Sequence, residues 1–88
     1  MGKYKIEIKK SVYKEIAKLP SKDIKIILSK IESLSDNPRP VGVQKLSIQE
    51  KYRVRCGIYR ILYKIEDDIL VIIVVKVGHR RDVYKRIP

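Results

Sequence analysis

The sequence contains no phenylalanine and no tryptophan, and it has one cysteine and one histidine. Cys56 alone cannot form an internal disulfide, and one cysteine with one histidine provides no ligand cluster for zinc. We therefore expect Cys56 to be a small apolar residue on the buried face of a strand, and we expect no bound metal and no cofactor. Stacking on nucleobases must rely on the six tyrosines or on arginine planes.

A long apolar run and a signal-peptide pattern are also missing. The longest apolar run, residues 69–75, is far too short to span a bilayer. Residues 3–10 alternate between charged and apolar side chains, unlike a signal peptide. We expect a single domain over residues 1–88, located in the cytoplasm.

Acidic residues are scarce relative to basic ones: 10 Asp and Glu face 21 Lys and Arg, which gives a formal net charge of +11. A positive charge of this size is typical of nucleic-acid binding. An anionic membrane surface is the alternative partner. The sequence disfavours it because we find no strongly amphipathic basic helix with bulky aromatic side chains.

Residues 52–60 predict a β-hairpin whose two-residue type II′ turn begins at Gly57. This turn places Arg55 opposite Arg60. Because successive strand residues point to opposite faces, Arg53, Arg55 and Arg60 share one face of the hairpin. The opposite face carries Tyr52, Val54, Cys56, Tyr59, Ile61 and Tyr63.

The arginine face is unfavourable by itself, because like charges opposite each other destabilise a sheet. A solvated surface is the simple interpretation. However, basic residues return at residues 78–81, directly after the apolar run, and Tyr84 follows. This concentration favours a phosphate-rich ligand. Lys45 and Lys51 are further candidate contacts, for which solvation is the simpler explanation.

The N-terminal part predicts a strand followed by two helices. Residues 3–9 alternate as in a half-buried strand, Ser11 and Ser21 stand where helix caps are expected, and Pro20 separates the helices. Asp23 lies in the first turn of the second helix. The apolar stripe of that helix comprises Ile24, Ile27, Leu28, Ile31 and Leu34.

The C-terminal half predicts strands. Residues 39–50 indicate a loop that also admits a short strand over residues 45–48, and residues 59–65 form the second hairpin strand. Residues 69–75 predict a strand covered on both faces, which Gly78 ends. The result is an α+β fold: an N-terminal strand, a helical hairpin, and then a three- to four-stranded, mostly antiparallel twisted sheet.

A basic sheet face could bind RNA, and it could also cleave RNA without a metal. The ribose 2′-hydroxyl then attacks the adjacent phosphate, which needs a base, an acid and cations on the phosphorane. Tyr84 and His79 are the nearby residues, other than Lys and Arg, that commonly transfer protons. The available cations are Arg53, Arg55, Arg60 and Arg80.

Together, these segments resemble the RelE/ParE superfamily of toxins from toxin–antitoxin pairs, and its RelE branch in particular. The resemblance rests on the pattern Tyr-Arg-x-Arg…Gly-x-Tyr-Arg-x-x-Tyr over residues 52–63 and on residues 77–84, and it covers nearly the whole chain. It implies a RelE-like fold and a metal-independent, ribosome-dependent endoribonuclease that cleaves mRNA in the ribosomal A site. It also implies a cognate RelB-like antitoxin that wraps and blocks the toxin.

The resemblance also implies site residues. Two functional lysines of RelE-type toxins match Arg53 and Arg55 here, the phosphate-binding arginine matches Arg60, and the arginine and tyrosine of the C-terminal segment match Arg80 and Tyr84. On this basis Arg55, Arg60 and Arg80 clamp the phosphate, and Tyr84 orients the RNA. Further candidate RNA contacts are Arg81, Lys45 and Lys51.

The two arginines in place of lysines leave the general base open, since arginine stays charged. His79 is the candidate for proton transfer because its ordinary pKa lies near neutrality, and an exposed turn residue is the simpler alternative. Two other functions remain open: a ParE-like, non-enzymatic inhibitor of DNA gyrase, and a basic RNA-binding module without cleavage activity. Arg80 and Tyr84 favour the nuclease, because the ParE branch generally lacks this set.

Overall fold

The computed structural model describes residues 3–47 and 51–79, which form two helices and one five-stranded sheet. The spatial order of the strands is β1-β5-β4-β3-β2, with β1 parallel to β5 and the other neighbours antiparallel. The predicted α+β fold is confirmed. The elements are β1 (Lys5–Ile8), α1 (Lys10–Ala17), α2 (Ser21–Ser33), β2 (Gln44–Ser47), β3 (Lys51–Cys56), β4 (Tyr59–Glu66) and β5 (Val71–His79).

Both helices pack on one face of the sheet through amphipathic stripes. Val12 and Ile16 of α1 and Ile27 and Ile31 of α2 are buried, whereas Leu28, predicted to belong to the stripe, is 41% exposed. The sheet side of this core contains every residue predicted for the apolar face of the hairpin. These residues are Tyr52, Val54, Cys56, Tyr59, Ile61 and Tyr63.

The predicted serine caps are wrong. The N-cap of α1 is Lys9 and that of α2 is Pro20, and neither helix has a side-chain cap hydrogen bond. Ser11 and Ser21 therefore lie inside the first turns, because each helix begins earlier than the serine pattern indicates. Lys9 and Pro20 both have extended backbone angles, which direct the chain into each helix.

The strand β5 differs from its predicted bounds. Ile69 and Leu70 belong to the preceding turn, where Leu70 has a φ of 53°, and the strand continues through Gly78 to His79. An irregularity opposite Leu62 shifts the pairing of β5 with β4. Pairing with β4 continues past the glycine, since Arg60 pairs with Gly78 and Tyr59 with His79.

Burial on both faces occurs in β4 rather than in β5. The five residues from Tyr59 to Tyr63 are all buried, including Arg60. In β5, Ile73 and Val75 are only half-buried. The reason is position, since β4 is the central strand of the sheet.

Glu15 of α1 joins the helical layer to the end of β5. The strand β1 ends at Ile8, which pairs with Val74, so β5 extends beyond its parallel neighbour. There, the Val77 N–H donates to Glu15 Oε1 at 3.1 Å, and Lys76 Nζ donates to Glu15 Oε2 at 2.6 Å. The carboxylate thus accepts a backbone hydrogen bond where no β1 residue is paired.

Replacement of Glu15 should destabilise the fold in two steps. Glu15→Gln keeps an acceptor for the Val77 N–H and removes the ion pair with Lys76, whereas Glu15→Ala removes both interactions. We expect Glu15→Ala to lower the free energy of unfolding by about 1–3 kcal/mol and Glu15→Gln by less. Urea unfolding monitored by circular dichroism measures both changes.

Glu7→Gln is the matched control, because Glu7 is exposed. It should have little effect on the unfolding midpoint. Equal losses for Glu15→Gln and Glu15→Ala would show that the backbone hydrogen bond contributes nothing.

Candidate functional site

The β3–β4 hairpin has the predicted register. Arg55 pairs with Arg60 and Cys56 with Tyr59. Gly57 has a φ of 62°, the positive value that a type II′ turn needs at its first central position. The turn therefore brings two guanidinium-bearing residues opposite each other.

An open cleft of about 240 Å³ lies on the hairpin face away from the helices. It is lined by Arg53, Arg55, Arg60, Gly42 and Gln44, and we call it the arginine cleft. Arg60 is 5% exposed, Arg53 is half-buried and Arg55 is exposed. The cleft thus carries positive charge from its buried side to its mouth.

The electrostatics of the arginine cleft suit an anion. Among the described residues, none that lines it is acidic, and Arg53 donates a hydrogen bond to the neutral Gln44 Oε1. Guanidinium groups present planar sets of donors that match phosphate oxygens. A phosphate in the cleft would offset the mutual repulsion of the arginines and gain charge-assisted hydrogen bonds. A metal cation would instead be repelled.

Across the sheet, Arg55 pairs with Arg60, and Arg60 pairs with Gly78 of β5. Gly78 has no side chain. No side chain therefore projects from β5 at the position that pairs with Arg60. Three predicted site residues come after this point in the chain: Arg80, Arg81 and Tyr84. They lie outside the described residues.

His79 lies on the opposite face of the sheet from the arginine cleft. It pairs with Tyr59, and the two rings meet edge to face with centroids 6.4 Å apart. Because β5 continues through Gly78, strand alternation turns His79 away from the face of Arg60. The structure therefore groups His79 with the tyrosine side of the hairpin.

The two candidate lysines are both exposed, and the strands place them on different faces. Lys51 has the same alternation as Arg53 and lies on the arginine side of β3. Lys45 pairs with Tyr52 and lies on the other side. Only Lys51 therefore extends the arginine surface.

A family model described as "ParE toxin of type II toxin-antitoxin system, parDE" matches residues 6–84. The chain belongs to the RelE/ParE superfamily of type II toxins. A Methanocaldococcus jannaschii protein named as a RelE1 toxin is 36% identical to this toxin over 87 residues, covering 94% of this chain and 97% of the relative.

Two solved structures have the same fold as this toxin. The archaeal RelE–RelB complex from Pyrococcus horikoshii contains a chain that matches with a TM-score of 0.81 and 30% identity, covering 89% of this chain and 96% of that one. The RelBE2 toxin–antitoxin complex of Mycobacterium tuberculosis contains a chain that matches with a TM-score of 0.78 and 25% identity, covering 88% and 98%. The RelE-like fold is thus confirmed.

We also searched the described residues for metal-ligand clusters and for membrane-spanning helices. The described part of the chain has no group of three or more His, Cys, Asp or Glu side chains arranged to hold a metal ion. Neither of the two helices in the described residues is long and apolar enough to cross a bilayer.

Sequence reasoning missed a polar network behind the arginine cleft, centred on Arg39. Its guanidinium forms an ion pair with Asp67 at 2.8 Å, and its Nε donates to the Tyr52 hydroxyl at 3.0 Å. The Tyr4 hydroxyl donates to Asp67 Oδ1 at 2.6 Å. The network joins the residue before β1, the loop after α2, strand β3 and the β4–β5 turn, so local sequence patterns give no signal for it.

The same region fixes the loop that forms one wall of the arginine cleft. The hydroxyl of the buried Tyr63 donates to the Pro38 carbonyl at 2.7 Å, and the Tyr63 ring stacks on Tyr52 with centroids 5.9 Å apart. Pro38 and Arg39 are thereby held against the sheet, Pro38 by Tyr63 and Arg39 by Tyr52. Gly42, which lines the arginine cleft, follows in the same loop.

Protonation of Asp67 should weaken this network. The Arg39 guanidinium and the Tyr4 hydroxyl lower the pKa of Asp67 in the folded state. A lowered folded-state pKa adds stability above the unfolded value, which is about 4, and this contribution disappears as the pH falls through the folded pKa. We therefore expect Asp67→Asn to lower the urea midpoint near neutral pH and the difference from the wild type to shrink below about pH 4.

Asp68→Asn removes the same charge from the adjacent exposed position and is the matched control. It should keep the pH dependence of the wild-type urea midpoint. A constant difference between Asp67→Asn and the wild type across this pH range would contradict the assignment.

Proposed function

We propose that this toxin is an endoribonuclease that cleaves mRNA in the ribosomal A site, in the cytoplasm and without a metal. The observation that carries the proposal is the arginine cleft, in which Arg53, Arg55 and Arg60 meet and none of the described lining residues is a carboxylate. A scissile phosphodiester is an anion of the right chemistry for such a cleft. Similarity to RelE toxins supports the same conclusion.

In the proposed reaction, the ribose 2′-hydroxyl attacks the neighbouring phosphorus and the 5′-oxygen leaves. The products are a 2′,3′-cyclic phosphate and a free 5′-hydroxyl. The phosphorane has more negative charge on its oxygens than the starting diester, so fixed guanidinium groups stabilise it more than the substrate. Arg60 is buried, and its charge is therefore less screened by water than that of an exposed residue.

The 2′-hydroxyl loses one proton as it attacks and the leaving 5′-oxygen gains one, so the reaction moves a proton between the two oxygens and releases none overall. Arginine does not lose its proton at physiological pH, so the described cleft arginines bind the phosphate and stabilise the transition state without acting as the base. His79 faces the tyrosine side of the hairpin. We therefore assign the orientation of the RNA and the contact with the leaving oxygen to Tyr84 and Arg80, as the family resemblance implies.

We also propose a cognate, RelB-like antitoxin as partner. Its support is the similarity to RelE chains whose solved structures contain RelB. Copurification from the native operon should recover a second small protein with the toxin, and recovery of the toxin alone would contradict the proposal.

A second candidate function is inhibition of DNA gyrase, because the matching family model is described as a ParE toxin. Supercoiling by gyrase and cleavage of mRNA on programmed ribosomes should be measured with one toxin preparation. The nuclease proposal expects new mRNA ends and unchanged supercoiling. Inhibited supercoiling without new mRNA ends would favour the second candidate.

Arg55→Gln is the sharpest test of the arginine cleft, because Arg55 is exposed and its loss should leave the fold intact. We expect cleavage of ribosome-bound mRNA to slow on the order of 100-fold, as for loss of one preorganised donor to a transition-state oxyanion. Arg55→Lys should retain more activity, since it keeps a positive charge. Primer extension on a defined mRNA measures the rates.

Lys5→Gln removes one positive charge from the exposed edge strand β1, where Lys5 pairs with Val71 at the other end of β5 from Gly78, and this variant should cleave at the wild-type rate. Wild-type cleavage by folded Arg55→Gln would contradict the role of the arginine cleft. Circular dichroism should accompany each variant, so that lost activity is separated from lost folding.

A further inference from the structure

A second basic surface lies on the helices, on the opposite side of the molecule from the arginine cleft. Five lysines of the helical hairpin are exposed, and we call them the lysine ridge. They are Lys10, Lys14, Lys18, Lys22 and Lys25.

Helix geometry places the lysine ridge away from the core. On α1, Val12 and Ile16 face the sheet, and Lys14 lies between them in sequence, close to 180° around the helix from that stripe. Lys10 is one turn before Lys14 on the same side. On α2, Lys22 and Lys25 likewise lie opposite the buried isoleucines.

The acidic residues of this segment do not neutralise the lysine ridge. Residues 10–25 contain two carboxylates, Glu15 and Asp23. Glu15 accepts from Lys76 and from the Val77 N–H, and Asp23 accepts from the Tyr59 hydroxyl at 2.7 Å. Both are therefore directed towards the sheet. Lysines four residues apart repel one another on a helix, so the outer surface of residues 10–25 carries concentrated positive charge at a small cost in stability.

The chemistry of the lysine ridge differs from that of the arginine cleft. The ridge contains only lysines, which are mobile point charges that bind phosphates without reading bases. It extends along α1, which is about 12 Å long, and on to the start of α2. A row of this kind suits the many regularly spaced phosphates of a duplex better than a single phosphodiester. Tyr13, which precedes Lys14 in the sequence, is 58% exposed.

A membrane surface fits these observations less well. Insertion into a bilayer requires an apolar helix face that is free to enter the lipid. The centre of each apolar stripe is instead buried against the sheet, through Val12 and Ile16 on α1 and Ile27 and Ile31 on α2. The exposed Ile26 and Leu28 lie on opposite flanks of the α2 stripe, so they do not form one continuous apolar face.

We propose that the lysine ridge is a second RNA-binding surface, which contacts the phosphate backbone of double-stranded RNA without sequence preference. The choice of RNA rests on the proposed function, because mRNA in a ribosome is surrounded by folded RNA. With the two basic surfaces on opposite sides, the toxin holds a single strand in the arginine cleft while its helices lie along a duplex.

The test is binding of a blunt RNA duplex across a range of salt concentrations. The triple variant Lys14→Gln, Lys22→Gln and Lys25→Gln should weaken binding and lower the steepness of log K against log salt by about 3, near one unit for each phosphate that the variant no longer neutralises. The matched control is Lys3→Gln, Lys5→Gln and Lys64→Gln, which removes the same charge elsewhere. The control should keep the wild-type slope.

A second arm separates the two basic surfaces. A single-stranded 2′-O-methyl oligonucleotide resists 2′-hydroxyl attack and reports binding at the arginine cleft. The ridge triple variant should bind it as the wild type does, and Arg55→Gln should bind the duplex as the wild type does. Loss of duplex binding in Arg55→Gln would overturn the proposal, because the duplex would then occupy the arginine cleft.

Three other outcomes would also overturn the proposal. The first is an equal loss of duplex affinity in the ridge and control triple variants, which would mean that only total charge matters. The second is binding to a DNA duplex that depends on the ridge lysines and is tighter than binding to the RNA duplex. The third is such binding to anionic phosphatidylserine vesicles. The nuclease proposal is refuted separately if the wild type does not cleave mRNA. If duplex binding is then abolished only in the ridge triple variant, the proposed role of the lysine ridge is still supported.

Discussion

The alternation of side chains along β4 is the constraint on which the rest of the structure depends. As the central strand, β4 must bury both of its faces. Its odd-numbered residues from Tyr59 to Ile65 join the core under the helices, and Arg60 is directed to the other side. A one-residue slip would exchange the two faces, placing a guanidinium in the apolar core. Burial of the core therefore also fixes the arginine cleft.

The sequence predicted the hairpin well because the information for it is local. Gly57 supplies the positive φ of the turn, and alternation on either side of it then sets which residues share a face. The amphipathic stripes of the helices are local in the same sense. This is why Arg53, Arg55 and Arg60 could be grouped from the sequence alone.

The features that sequence reasoning missed depend on partners far away in the chain. The strand β5 keeps its pairing with β4 through Gly78 to His79, so the expectation that Gly78 ends the strand was wrong, and His79 lies on the tyrosine side. The ion pair between Arg39 and Asp67 joins a loop to a turn 28 residues later. No period or motif within either segment indicates such an interaction.

The parallel pairing of β1 with β5 has a consequence for synthesis. Ile8 lies beside Val74, so the first strand to leave the ribosome acquires its neighbour only when the last described strand has been translated. Such pairing between distant parts of the chain forms late and slows folding. The helices and the hairpin can assemble earlier, but the sheet stays open at β1 until then. The sheet of a nascent chain therefore cannot be completed before Val74 has left the ribosome.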